Sequence, residues 1–172
     1  KDEDVASGKV QIIAPVDFMD FTVSENVYAG NAMNRRLFYQ YGLLLPAAPH
    51  GYVGQGLGQG VSAGATGLIA PNRYVSEAIE EFEVDGVRMI FQNTPGTEAP
   101  REMNTYIPDM KALWMAENVT ATLHNIYTLR GAQVRDPLRW SKYINESLYK
   151  FGQEAEVMFA SHHWPRWGNA RI

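Results

Sequence analysis

The sequence predicts a mixed α/β fold in which helices flank a mixed sheet. Three observations carry this. Runs with strand-like alternation are interleaved with runs of helical spacing. An Asp85-Gly86 pair joins two alternating runs, the strongest short hairpin signal. The composition, 45% hydrophobic and 20% charged over 172 residues, is that of a globular chain of about one domain.

Taken in order, residues 1–9 are polar and predict no element. VQIIAP, Val10 to Pro15, is β-branched and apolar and predicts a buried strand. From Glu25 to Leu45 the apolar residues Val27, Met33, Leu37, Tyr41 and Leu44 recur at helical spacing, so a helix ends before Pro46, with Arg35 and Arg36 on its polar side. Residues 46–72 are rich in glycine and predict a long functional or partner-covering loop. Glu80–Val84 and Val87–Asn93 form the hairpin across Asp85-Gly86. Glu102–Pro108 and Lys111–Asn118 form a second strand pair, turning at Asp109. Helical spacing returns over Thr122–Leu129 and Arg139–Gly152, the latter with Leu138, Tyr143, Ile144, Leu148 and Phe151 toward the core. Glu156–Ala160 is a last apolar strand.

Composition excludes several functions. A net charge of −4 argues against nucleic acid as a main partner, because phosphate binding needs a basic face. No apolar run is long enough for a membrane span. The absence of cysteine excludes disulfides and Cys-based zinc sites, so a metal would be held by His, Asp or Glu. The start without Met and the end at NARI read as the edges of a piece of a longer protein.

Three metal-competent residues follow three predicted strands: Glu98 after Asn93, Glu117 at the end of KALWMAEN, and His162 at the end of VMFASHH. Strand ends sharing one rim of a sheet are where α/β sites are built. A carboxylate there is costly to bury without compensation, and a divalent cation supplies it. The same residues also read as a solvated loop carboxylate and a helix cap, so spacing alone leaves the choice open. Gly58-Gln59-Gly60-Val61-Ser62-Ala63 fits G-x-G-x-x-A but follows a loop rather than a strand, so it is not read as a dinucleotide site.

The segments TPGTEAPREMNTYIPDMKALWMAEN, HNIYTLRGAQVRDPLRWSKYINE and SHHWPRWGN resemble the alkylsulfatases of the metallo-β-lactamase superfamily. The resemblance runs through nearly all of the chain and implies the second half of that family's αββα catalytic domain. It implies that Glu98 binds one zinc, that Glu117 bridges two, and that His162, in preference to His163, binds the second. It aligns Asn125, Ile126, Tyr127, Thr128, Leu129 and Arg130, with Arg135 beyond, to the family's sulfate-binding run. It implies hydrolysis of alkyl sulfates such as dodecyl sulfate by a protein that is a homodimer and periplasmic or secreted, with a cytoplasmic location as the alternative.

The chemistry of these residues agrees with that expectation. A sulfate ester is an anion whose oxygens suit a guanidinium fork, which Arg130 and Arg135 offer. Arg130 could instead pair with Asp136. His124, beside Asn125, could give a proton to the departing oxygen, or be a structural histidine. Phe18, Phe21, Tyr52, Leu57 and Trp114 could line an apolar channel or simply fill the core. The family's H-x-H-x-D-H motif is absent from these residues, as are its dimerisation and sterol-carrier-like domains, so the 172 residues alone are expected to bind zinc weakly and to hydrolyse nothing. Other hydrolase chemistry on phosphate or acyl substrates, or a non-catalytic anion-binding module, are the alternatives.

Overall fold

A computed structural model describes the chain except Gly56, Leu57, Gln59 and 61–63. Leu57 and most of the Gly58–Ala63 run therefore lie outside the described residues. The elements are α1 (Asp2–Ala6), β1 (Ile13–Pro15), α2 (Phe18–Val23), α3 (Gly30–Gln40), β2 (Arg73–Val75), β3 (Ile79–Val84), β4 (Val87–Asn93), β5 (Met103–Ile107), β6 (Ala112–Trp114), α4 (Pro137–Ser147), β7 (Val157–Phe159) and β8 (Arg166–Trp167). The chain divides into two compact units. One holds Lys1–Phe18, Ala70–Ile126 and Arg135–Ile172; the other holds Met19–Ile69 and Tyr127–Val134.

The first unit carries both sheets. β3 to β8 form a six-stranded sheet in sequence order, and β1 and β2 form a parallel pair. Val84 faces Val87 across the hairpin, with Asp85 at φ 51° and Gly86 at φ 78°, the left-handed pair that a two-residue turn of matching twist requires. β4, β5 and β6 alternate in direction, while β6 and β7 run parallel. The C-terminal ends of β4, β6 and β7 therefore share one rim.

The sheet buries both faces. Val75, Phe82 and Phe91 pack on one face, with Ile13 and Met103 against them. Tyr106, Leu113, Met115, Met158 and Phe151 pack on the other, where the rings of Tyr106 and Phe151 stack at 5.2 Å. The mixed α/β class expected from sequence is the fold observed.

Several boundaries differ, each for a local reason. Residues 2–6 form a helix because Asp2, Glu3 and Asp4 fill its first turn, where the helix dipole favours acids. The first strand is only Ile13–Pro15, and Val10 is exposed. The helix expected over Glu25–Leu45 begins earlier, passes through a π-helical turn at Ser24–Tyr28, and stops at Gln40, ahead of Gly42 at φ 64°. Met33 is buried as expected, but Val27 and Leu44 are exposed.

The strand expected to reach Asn118 ends at Trp114, because Ala116 turns left-handed at φ 48°. Thr122–Leu129 is not helical but part of an irregular run. The helix expected from Arg139 starts two residues earlier at Pro137, a residue suited to a first helical turn, after Asp136 accepts the Arg139 N–H at 2.9 Å. Trp140 and Phe151 are buried, whereas Leu138 and Leu148 point outward. The two-residue β8 has too little sequence to signal itself.

Candidate metal centre

Glu98 sits in the turn TPGTEAP after β4. Gly96, at φ 76°, donates its N–H to the Pro100 carbonyl at 3.1 Å, and the buried Thr97 hydroxyl donates to the Thr94 carbonyl at 2.7 Å. Glu117 follows the left-handed Ala116, whose carbonyl accepts the Ser161 N–H at 2.8 Å, tying the ends of β6 and β7 together. His162 itself is left-handed at φ 73°. Such backbone costs of order 1–3 kcal/mol for a non-glycine residue and concentrates at functional sites. Its Nε2 lies 3.0 Å from Glu117 Oε1.

His124 completes the group. Its Nε2 lies 3.6 Å from Glu117 Oε2 and 3.8 Å from Glu98 Oε1. Its Nδ1 lies 2.9 Å from the Asn125 carbonyl, which fixes the proton there in the neutral ring and turns the Nε2 lone pair toward the carboxylates. One ligand atom each from Glu98, Glu117 and His124 lie within 4.8 Å of one another, so the residues present fit a divalent cation. Glu117 presents its two oxygens to two different histidines, Oε1 to His162 and Oε2 to His124.

Two further groups tune the electrostatics. The Arg135 guanidinium is buried, pairs with the Glu98 carboxylate and backbone carbonyl, and reaches Asn125 Oδ1 at 2.6 Å. Glu102 has its carboxyl pushed up to about 7. Burial is the main cause and the fields of Glu98 and Glu117 add to it, against a hydrogen bond from the Met103 N–H. Nothing in the sequence marked Glu102, since a carboxyl at the start of a strand usually reaches water.

The other expected site residues fall as follows. His163 turns away from the carboxylates and its Nε2 lies 3.0 Å from the Val119 carbonyl. His50 is exposed. Asn125, Ile126 and Arg135 belong to the first unit, and Tyr127, Thr128, Leu129 and Arg130 to the second. In the second unit Thr128 is buried and its hydroxyl accepts the Ala132 N–H at 3.2 Å, while Tyr127 and Leu129 are exposed. Arg130 pairs with Glu25 at 3.2 Å, and its N–H donates to Gln40 Oε1 at 3.0 Å. Gly131, at φ 103°, leaves room for Arg36, which a side chain there would strike. Phe18, Phe21, Tyr52 and Trp114 are each half-buried, and Trp114 packs on Phe159. None lines the apolar cavity of about 320 Å³ beside His124, walled by Val119, Leu123, Ile126, Trp140 and Ile144.

No family model matches the chain. It is 50% identical over its whole length to an alkyl/aryl-sulfatase of Saccharomyces cerevisiae, of which it covers 27%. The solved structure of a stereoselective inverting sec-alkylsulfatase from Pseudomonas sp. matches 99% of the chain at a TM-score of 0.95 and 43% identity, the chain covering 27% of it. An archaeal metallo-β-lactamase superfamily protein from Sulfolobus tokodaii matches 96% of the chain at a TM-score of 0.56 and 13% identity, with 57% of that protein covered, a likeness of fold alone. The chain thus spans about a quarter of the length of the sulfatases it matches.

Proposed function

Because the chain corresponds over its whole length to one segment of the alkylsulfatases, within a metallo-β-lactamase fold, we propose that the protein containing it hydrolyses alkyl sulfate esters to an alcohol and inorganic sulfate. The observation that carries the reading is the convergence of Glu98, Glu117 and His124 at the rim where β4, β6 and β7 end. Glu98, Glu117 and His162 would hold the cations, which the resemblance implies are two zinc ions. When bound, such ions lower the pKa of water toward neutrality and polarise an ester oxygen.

The chain's own residues do the rest. Glu117 directs one oxygen toward His162 and the other toward His124. Asn125 to Arg130, with Arg135, is the proposed sulfate-binding run, since a guanidinium fork suits sulfate oxygens. His124, when protonated, can deliver a proton from Nε2 to the departing alcohol oxygen. The apolar cavity beside it offers a wall to the alkyl part. The proximity of His124 to both carboxylates favours a second reading in which it is itself a ligand. The metal content of His124→Gln separates the two: retained metal with lost turnover marks the proton donor, lost metal marks the ligand. A homodimer and a periplasmic or secreted location are part of the proposal and rest on the resemblance.

Sulfate release from dodecyl sulfate by the intact protein, before and after chelation, tests the function. Activity is expected to vanish with chelator, return with zinc, and fall by at least about 100-fold in Glu117→Gln, because a lost ligand removes the cation that would activate water. Unchanged turnover by Glu117→Gln, or preference for a phosphomonoester, would sink the proposal.

A further inference from the structure

Asn118 follows Glu117 directly and is 4% exposed. Its backbone N–H donates to the Met115 carbonyl at 2.8 Å. Its side-chain amide donates to Asn104 Oδ1 at 2.9 Å and to Thr94 Oγ1 at 3.1 Å. Its Oδ1 faces the Glu98 N–H at 3.5 Å. Its own carbonyl accepts the Trp140 indole N–H at 2.9 Å, and the Trp140 ring packs on the His124 ring with centroids 5.4 Å apart. One residue thus touches the turn that bears Glu98 at two points, adjoins Glu117, and reaches His124 through one aromatic ring.

The contacts continue inward. Asn104 donates to Gln92 Oε1 and to Ser147 Oγ, each at 3.0 Å, and Gln92 donates to Glu146 at 3.0 Å. Gln92, Thr94, Thr97 and Asn104 are fully buried. Exchanging such hydrogen-bonded partners for apolar groups of the same shape is close to neutral, so a buried amide band contributes little net stability. What it fixes is direction, because each amide satisfies its donors and acceptors in one orientation only.

We infer that Asn118 is a positioning residue that locks the Glu98 turn, Glu117 and the Trp140–His124 pair together, so that the two carboxylates are aligned for a cation with His124 held against them. The inference rests on the metal reading above, and it assigns to an uncharged residue the alignment that this reading needs.

The test is cation affinity of the intact protein, by zinc titration and by the visible spectrum after cobalt(II) loading, with melting temperature measured alongside. Asn118→Leu removes all three side-chain contacts. Thr94→Val removes the hydroxyl that accepts from Asn118 and conserves shape, so it carries the test if Asn118→Leu does not fold. Both are expected to weaken zinc about 10- to 100-fold, the usual loss when a group behind the ligands is removed, and to alter the cobalt spectrum. Ser147→Ala, at the far end of the band, is expected to lower the melting temperature and leave affinity and spectrum unchanged. Wild-type affinity and spectrum in Asn118→Leu and Thr94→Val would overturn the inference. So would equal weakening in Ser147→Ala at an equal loss of melting temperature. If Glu117→Gln takes up zinc and cobalt as the wild type does, the metal reading itself fails, a result distinguishable from both.

Discussion

The turns after β4, β6 and β7 and the run from 121 to 136 carry the two halves of the proposed chemistry, and different forces hold them. In the turns, each side chain sits a few residues past a strand whose register is fixed by ladder hydrogen bonds, so Glu98, Glu117 and His162 inherit their places from the sheet. The run from 121 to 136 has no ladder. It is held by single contacts such as the Arg135 N–H to the Ile126 carbonyl at 2.9 Å and the Gly131 N–H to the Thr128 carbonyl at 3.0 Å. The contrast is sharpest between its two arginines. Arg135 is 7% exposed and its guanidinium pairs with Glu98 and Asn125, whereas the Arg130 side chain is 26% exposed and meets one carboxylate, Glu25. A buried pair is sensitive to losing either member, while a partly exposed pair contributes little.

That comparison can be broken in three ways, from the largest effect to the smallest. Arg135→Met leaves the Glu98 carboxylate without its cation in a largely buried place. It is expected to lower stability by about 3–5 kcal/mol in metal-free protein, read as the shift of the urea unfolding curve. A smaller loss once zinc is added would show a metal taking over the compensation of Glu98.

Glu102→Gln tests the electrostatics behind the turns. The folded carboxyl ionises near 7, above its ordinary 4.5, so between those values the folded protein keeps a proton that the unfolded chain releases. Stability should therefore fall as pH rises from about 4.5 to 7, by about 3 kcal/mol. The variant should flatten that slope, and an unchanged slope would show that Glu102 is not its source.

Arg130→Met gives the smallest stability change, below about 1 kcal/mol, because its ion pair is partly solvated. Turnover of dodecyl sulfate is nevertheless expected to fall about 100-fold if Arg130 meets the sulfate. Unaltered turnover would remove Arg130 from the substrate-binding run.

Much of this is legible in the sequence alone. The hairpin was readable because Asp85-Gly86 specifies a turn that admits only one register. The places of Glu98, Glu117 and His162 just past β4, β6 and β7 were readable because a polar residue after an apolar strand is conspicuous. The Thr122–Leu129 helix was misread because its spacing of apolar residues mimics a helix, although no buried face exists for them: Leu123 and Leu129 are exposed. The end of β6 was overrun because the left-handed turn at Ala116 carries no glycine or proline to announce it.

The sequence by itself determined the class of fold, the order of most strands and the residue types able to hold a cation, because these follow from local periodicity and chemistry. Only the tertiary structure decided that His124 meets both carboxylates, that Arg135 pairs with Glu98, that Glu102 is half-buried in the field of two other carboxylates, and that Asn118 joins the turns. Each of these depends on which segments distant in sequence the sheet brings within hydrogen-bonding or Coulombic range, and no local pattern encodes that distance.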